Sequence, residues 1–393
     1  MIISICVTLC HIFNKIIVLM ILPPLEQKKK IPRLITIFIP IVIIISCMFG
    51  YFRSIGFREG EDFDRKSQFP KPKTILANIE FKYDKWAFSD AFLDDLWYFF
   101  EKTPINPISN RHYFIFTVVN SGMITFAQNW FCSLNRVIKN MNSIIVVSLD
   151  SFSHQQMVKI GANSIHLHSN FTPKAVNNRK LIDFYDIVKV RPTLLHQFLL
   201  WGAEPVLSDL DIIFLSDPFP LFKGDYDFIV QCDSKNYTKL PISDPIVDWK
   251  VNLGFYQAIP TESVMKLMPI WLTRMYNAPK MVDQSALRHI LRSSNHHWIG
   301  HDTIGINWSK GYLKFKVLDP MLVVNAGGVF GTGRKIWQNE SHSKNISEPV
   351  LCHFFHLGSI SEKLALMKHH NLWFLESENK CKSKFTPVWA VWK

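Results

Sequence analysis

No Cys-x-x-Cys pair occurs among the seven cysteines of this 393-residue chain, so neither a zinc ribbon nor a thioredoxin-type redox site is supported. There is no internal repeat and no low-complexity window. A Ser-His-Asp order is missing, and so is a phosphate loop of Walker spacing. The stretch Gly327–Lys335, GGVFGTGRK, holds several glycines but lacks that spacing and a preceding βαβ start, so it reads as a flexible loop. Nor is there a basic stripe interleaved with aromatics, although the formal net charge is +12. Half of that charge lies in residues 1–58, where Lys15, Lys28, Lys29, Lys30, Arg33, Arg53 and Arg58 face a single Glu26. This reads as a topology signal plus a mildly cationic surface, and no nucleic-acid partner is expected.

What is present is apolar bulk. Hydrophobic residues make up 48% of the chain, enough for one large domain or two ordinary ones. Leu34–Phe52 is a run of 19 residues without a charge, the length of a membrane-crossing helix. The cluster Lys28–Lys30 with Arg33 precedes it, which keeps the N-terminus cytosolic and places residues after about 53 in the lumen. Arg53 and Arg58 oppose that bias without reversing it. The reading is therefore an apolar N-terminal segment over 1–30, a signal anchor over 31–52, a lumenal stem over 53–110 and one domain over 111–393. Five Asn-x-Ser/Thr sequons follow the anchor, at Asn170, Asn236, Asn307, Asn339 and Asn345, in keeping with a lumenal domain. One or two disulfides are open to Cys132, Cys232, Cys352 and Cys381, with no pairing specified.

Within the stem, the aromatic stretch Trp86–Phe100 predicts a helix packed on the domain. The domain itself predicts strands at Tyr113–Val119, Ser143–Leu149, Ser164–Leu167 and Pro205–Leu207. Helices are predicted between them, at Ile124–Ile138, Ser153–Ile160 and Leu181–Leu200, the last bent near Pro192. Such alternation implies a mostly parallel sheet covered by helices on both faces, with ligands beyond the carboxyl ends of the strands. Asn120, Asp150 and Asp209 fall at those ends.

The segment LSDLDIIFLSDP, residues 207–218, carries the chemistry. Asp209 and Asp211 lie two apart, so in an extended chain both side chains point the same way. Apolar runs on both sides leave solvation as a poor explanation for two carboxylates. Paired carboxylates bind a hard divalent cation, Mn²⁺ or Mg²⁺. Cys352–Gly358, CHFFHLG, offers two histidines as a third ligand, His353 and His356, which fall on opposite faces of an extended strand.

The string LLWGAEPVLSDLDIIFLSDPFP resembles the signature of the nucleotide-diphospho-sugar transferases grouped as glycosyltransferase family 77. TVVNSGMITFAQNWFCSLNRV, VNLGFYQAIP, the Asp283-Gln284 pair and LCHFFHLGSISEKLALMKHHNLWF are similar to other parts of that family, so the likeness spans roughly residues 112–375. It implies a GT-A type, Rossmann-like sheet flanked by helices, and a retaining transfer from a nucleotide-sugar donor, such as a UDP-sugar, to a glycan or glycoprotein acceptor. It implies a divalent metal, Mn²⁺ or Mg²⁺, and together with the anchor and the sequons the reading is a type II Golgi membrane protein. By the same resemblance Asp209, Asp211 and His353 hold the metal, with His356 the alternative, as in the related family 8. Asn120 and Asp150 fit nucleoside contacts, Lys189 and Arg191 donor contacts, Asn252 and Gly254 sugar contacts and Lys363 a diphosphate contact. Asp283 and Gln284 fit the transferred sugar and the catalytic step, by front-face attack or a covalent intermediate. The family usually has Asn two places after that histidine, where this chain has Phe355. Structural readings stand beside these: a turn at Asn252–Gly254, a helix start at Asp283-Gln284, an Asp186 partner for the basic pair and an exposed helix for Lys363. Rival functions are an inactive binding protein of the same fold and a metal-dependent phosphodiesterase.

Overall fold

Residues 88–167, 182–232, 251–330, 349–355 and 359–383 are described by the computed structural model. The chain divides into units Met1–Gln68 and Phe69–Lys393, and every described residue belongs to the second. The anchor segment and four of the sequons lie outside the described residues; Asn307 is exposed. Among the described residues, no helix is long and apolar enough to cross a membrane.

Helix α1 (Asp90–Phe100) is capped by the Ser89 side chain, which accepts from the Phe92 amide at 3.2 Å. It buries Phe92, Leu93, Leu96 and Phe100, spaced along one helical face. Phe100 packs on Trp201 and Phe114, so the stretch before residue 111 contributes to the core. The chain then alternates through β1 (Tyr113–Val119), α2 (Ile124–Val137), β2 (Ile144–Ser148), α3 (Ser151–Lys159), β3 (Ser164–His166), α4 (Ile182–Leu200) and β4 (Glu204–Ser208). Each lies within two residues of the element its apolar pattern predicts, and α4 holds Pro192 inside it. β1 pairs in parallel with β2 and β4, and β2 with β3.

From here the parallel pattern breaks. β5 (Ile212–Phe214) leaves the sheet, and β6 (Phe228–Cys232), β7 (Val251–Ala258), α5 (Glu262–Tyr276), α6 (Asp283–Leu291), β8 (Asn295–Trp298), β9 (Thr303–Trp308) and β10 (Gly311–Val317) follow. β7 inserts antiparallel between β4 and β6, β10 lies parallel to β6, and β8 and β9 add antiparallel strands. The described residues thus form a mixed sheet of order β3-β2-β1-β4-β7-β6-β10-β9-β8. The remaining elements are β11 (Val323–Asn325), α7 (Ala326–Phe330), β12 (Leu351–His353), α8 (Ile360–His369), β13 (Leu375–Ser377) and β14 (Lys380–Cys381). A second sheet has the order β11-β12-β5.

Strand alternation sends side chains into two apolar layers. Phe114, Phe116, Val147, Phe228 and Val230 join α4, α5 and α6 through Phe198, Trp271 and Leu287. Ile115, Val146, Val206 and Ile229 face the other way, against Trp130 of α2, Phe214 of β5 and Leu351 of β12. The small sheet therefore lies on one face of the large one, and the link from β4 to β5 joins them.

Cys132 of α2 and Cys381 of β14 form a disulfide across 249 residues, while Cys232 and Cys352 are buried thiols. Closing so long a loop in the unfolded chain is worth about 5–6 kcal/mol in the chain-entropy model. Non-reducing peptide mapping should recover the Cys132–Cys381 pair, and Cys381→Ser should lower the unfolding midpoint by roughly 5–10 °C. A midpoint unchanged in that variant would contradict a stabilising bridge.

Candidate active site

Where β4 ends, the chain is held by its neighbours on both sides. Ser208 is buried; its hydroxyl accepts from Trp130 Nε1 at 2.9 Å and its carbonyl accepts from Thr117 Oγ1 at 2.7 Å. The next amide, of Asp209, donates to the Gly254 carbonyl of β7 at 2.6 Å. The chain then turns at Leu210–Asp211, and the Asp211 carbonyl accepts from Phe354 N, just past β12, at 2.9 Å. The sequence reading places both aspartates in extended chain, and the structure differs. A turn between the two sheets brings the carboxylates to one place, because Asp209 is tied to the large sheet and Asp211 to the small one.

Each carboxylate gives one oxygen to a cationic side chain and the other to the same histidine nitrogen. Asp209 Oδ1 lies 2.8 Å from Arg191 Nη2, and Asp209 Oδ2 lies 3.6 Å from His353 Nε2. Asp211 Oδ2 lies 2.6 Å from Lys363 Nζ, and Asp211 Oδ1 lies 3.1 Å from His353 Nε2. One ligand atom from each of Asp209, Asp211 and His353 falls within 4.8 Å of the others. His353 is 1% exposed, and its Nδ1 lies 2.7 Å from Gln231 Oε1.

The charges respond to one another. Burial raises the Asp209 carboxyl above its ordinary range; Arg191 opposes that and Asp211 adds to it. Burial also works against Asp211, but Lys363 and His353 outweigh it and hold that carboxyl below the ordinary range. Burial opposes the Arg191 charge, yet Asp209 and Asp283 more than offset it and lift the guanidinium above its ordinary value. Cys352, next to His353, is pushed up by burial and by Asp211, so it is a protonated thiol and no nucleophile.

Gly254 makes room for this cluster. A Cβ there would overlap His353 Cε1 and press on Asp209 Oδ2 and Asn252 Oδ1. Asn252 and Gly254 lie within β7 rather than in a turn before it, and Asn252 Oδ1 accepts from the Gly254 amide at 2.7 Å. Asp283 and Gln284 open α6. Asp283 Oδ2 lies 3.7 Å from Arg191 Nη2, and Gln284 Oε1 accepts from the Leu253 amide at 3.1 Å. Lys363 sits on α8 and is 22% exposed, turned to the cluster rather than to solvent.

Two expected residues take other partners. Asp150 caps α3 by accepting from Ser153 N at 2.8 Å, and its second oxygen accepts from Ser121 N at 2.6 Å. It therefore ties the ends of β1 and β2 together, beside buried Asn120. Lys189 is two residues from Arg191 and thus about 200° around α4. Its contacts are Asp186 at 3.9 Å and the Pro279 carbonyl at 3.4 Å. Phe355 packs its ring on His353, with centroids 4.7 Å apart. His356 lies outside the described residues. Gln231 carries no sequence signal, since its strand is 122 residues from His353.

The family model of nucleotide-diphospho-sugar transferases matches residues 139–367, an interval that contains every residue of the cluster. The chain is similar to UDP-D-xylose:L-fucose alpha-1,3-D-xylosyltransferase 3 of Arabidopsis thaliana, with 21% identity over 270 residues, 67% of this chain and 66% of that protein. It is also similar to an arabinosyltransferase of Arabidopsis thaliana, with 26% identity over 114 residues, 28% of this chain and 18% of that protein. The chain thus spans just under two thirds of the first relative and less than a fifth of the second. Mouse xyloside xylosyltransferase 1, solved in its apo form, aligns with 64% of this chain and 98% of its own, at 11% identity and a TM-score of 0.37.

Gly254→Ala should displace His353 or Asp209. Urea denaturation should register an overpacking cost of about 1–3 kcal/mol, and Mn²⁺ binding, read by electron paramagnetic resonance, should weaken. A variant unchanged in both measurements would contradict the close packing described.

Proposed function

The chain belongs to the nucleotide-diphospho-sugar transferase family, and from that premise we propose that it is a retaining, divalent-metal-dependent glycosyltransferase. It moves a sugar from a UDP-sugar to a glycan or glycoprotein acceptor, as a type II membrane protein with its catalytic domain in the Golgi lumen. The GT-A fold that the motifs imply is in keeping with the parallel strands β3-β2-β1-β4, the last of which ends just before Asp209. The names of the two plant relatives, a xylosyltransferase and an arabinosyltransferase, favour a pentose as the transferred sugar.

The observation that carries this reading is the convergence of Asp209 Oδ2, Asp211 Oδ1 and His353 Nε2. Two carboxylate oxygens and one imidazole nitrogen are a donor set for Mn²⁺ or Mg²⁺, and the lack of a side chain at Gly254 lets His353 and Asp209 come together. Asp209, Asp211 and His353 would hold such an ion, and it would supply positive charge for the donor diphosphate as the nucleotide departs. Lys363 and Arg191 each stand beside one of those carboxylates and supply fixed positive charge toward a diphosphate. Arg191 also reaches Asp283, so one guanidinium braces both a metal ligand and the start of α6.

Retention allows front-face attack or a covalent intermediate. Gln284 Oε1 already accepts from Leu253 N, and Asp283 Oδ1 from Gln284 N. The Gln284 amide so engaged is a poor nucleophile, whereas Asp283 Oδ2 makes no hydrogen bond among the described residues and lies 3.7 Å from Arg191 Nη2; the front-face route needs neither group to attack. There the acceptor oxygen bonds to the anomeric carbon while the bond from that carbon to the diphosphate breaks. The acceptor proton passes to the departing diphosphate oxygen.

The test uses the full chain with UDP-xylose, UDP-arabinose and UDP-galactose. Asp209→Asn and Asp211→Asn should each lower metal-dependent donor hydrolysis by about a thousandfold or more, with the folded state retained by circular dichroism. Full activity in chelator, or in both variants, is incompatible with the mechanism.

A further inference from the structure

We propose that Gln231 is a positioning residue for the metal site: it fixes the tautomer of His353 and turns Nε2 toward the two aspartates. The proposal rests on the metal-site reading above.

Gln231 lies near the end of β6 and is fully buried. Phe228, Val230 and Cys232 of that strand fill one apolar layer, so Ile229 and Gln231 face the other, where β12 lies. The pairing of β6 with β7 shifts register between Val230 and Gln231 and sets Gln231 opposite Asn252. Such irregularities re-aim side chains beside functional sites. The strand thus delivers an amide to Nδ1 of His353 from a sheet to which His353 does not belong.

A buried amide is costly unless its polar atoms are bonded. Oε1 lies 2.7 Å from His353 Nδ1, whereas Nε2 makes no hydrogen bond among the described residues. The amide is therefore used at one end, and that end meets a candidate ligand. With Oε1 as acceptor, Nδ1 must carry a hydrogen and donate it. Nε2 faces Asp211 Oδ1 at 3.1 Å and Asp209 Oδ2 at 3.6 Å: a cation there would meet the lone pair of a neutral ring protonated at Nδ1, and without one Nε2 carries a hydrogen toward Asp211 Oδ1. The opposite amide orientation would donate to Nδ1, put the ring hydrogen on Nε2 and block ligation. Gly254 meanwhile lies against His353 Cε1, so the ring is held at Nδ1 by a hydrogen bond and at Cε1 by close packing.

The experiment compares the full chain with Gln231→Met, which keeps volume and removes the acceptor, and Gln231→Glu, which keeps an acceptor. Mn²⁺ binding is followed by electron paramagnetic resonance, alone and with UDP. The ring ¹⁵N shifts of His353, assigned through His353→Ala, report the tautomer. Gln231→Met should bind Mn²⁺ about 10–100-fold more weakly and lose the Nδ1–H signature, while Gln231→Glu stays within about threefold of the unmodified chain. Unchanged Mn²⁺ affinity and ring shifts in Gln231→Met overturn the positioning role alone. Equal losses in Met and Glu variants mark a packing residue and overturn it as well. An unmodified chain that binds no Mn²⁺ under either condition overturns the metal site, and the positioning role with it.

Discussion

Two carboxylates cannot share a recess without something to hold their charge. Ligand atoms of Asp209 and Asp211 lie within 4.8 Å, where two unit charges repel by about 3–4 kcal/mol at an effective dielectric near 20. The protein answers with one cation per carboxylate, Arg191 on Asp209 and Lys363 on Asp211. Each pairing occupies one oxygen and leaves the other facing His353 Nε2. The two residues titrate in opposite directions as a result, with burial lifting Asp209 and Lys363 with His353 holding Asp211 down. Removing either cation would leave a partly buried charge uncompensated, the costly way to break such a pair.

The architecture serves that arrangement. Arg191 comes from α4, Asp209 from the end of β4, Gly254 from β7, His353 from β12 and Lys363 from α8. No single element supplies two adjacent parts of the cluster. The turn at Leu210–Asp211 joins the sheets, and backbone bonds to Gly254 and from Phe354 pin it on both sides. The disulfide from α2 to β14 lies in the same apolar layer as β5 and β12.

The first half of the fold was legible because its information is local. Apolar, β-branched runs at Tyr113–Val119 and Ile144–Ser148, separated by amphipathic stretches, specify parallel strands and helices without reference to distant chain. The insertion of β7 between β4 and β6 was not legible, since strand order depends on pairings that no periodicity encodes. The small sheet escaped for the same reason, being built of three-residue strands far apart in sequence. Among site residues, Asp209 and Asp211 stand out by type and spacing, and His353 and Lys363 through the family resemblance; the structure brings the four together. Lys189 and Arg191 could not be ranked from sequence, because only the orientation of α4 decides which faces the cluster. Asp150 looked like a ligand contact for being an acid at a strand end, yet its oxygens serve the backbone at Ser121 and Ser153.

The proposed mechanism stands or falls on a divalent cation beside Asp209, Asp211 and His353. Anomalous diffraction from crystals of the chain grown with Mn²⁺ and UDP would locate it. One Mn²⁺ peak is expected within bonding distance of Asp209 Oδ2, Asp211 Oδ1 and His353 Nε2, with the UDP diphosphate beside it. Nucleotide bound elsewhere, or no peak among these three side chains at saturating Mn²⁺, would contradict that mechanism.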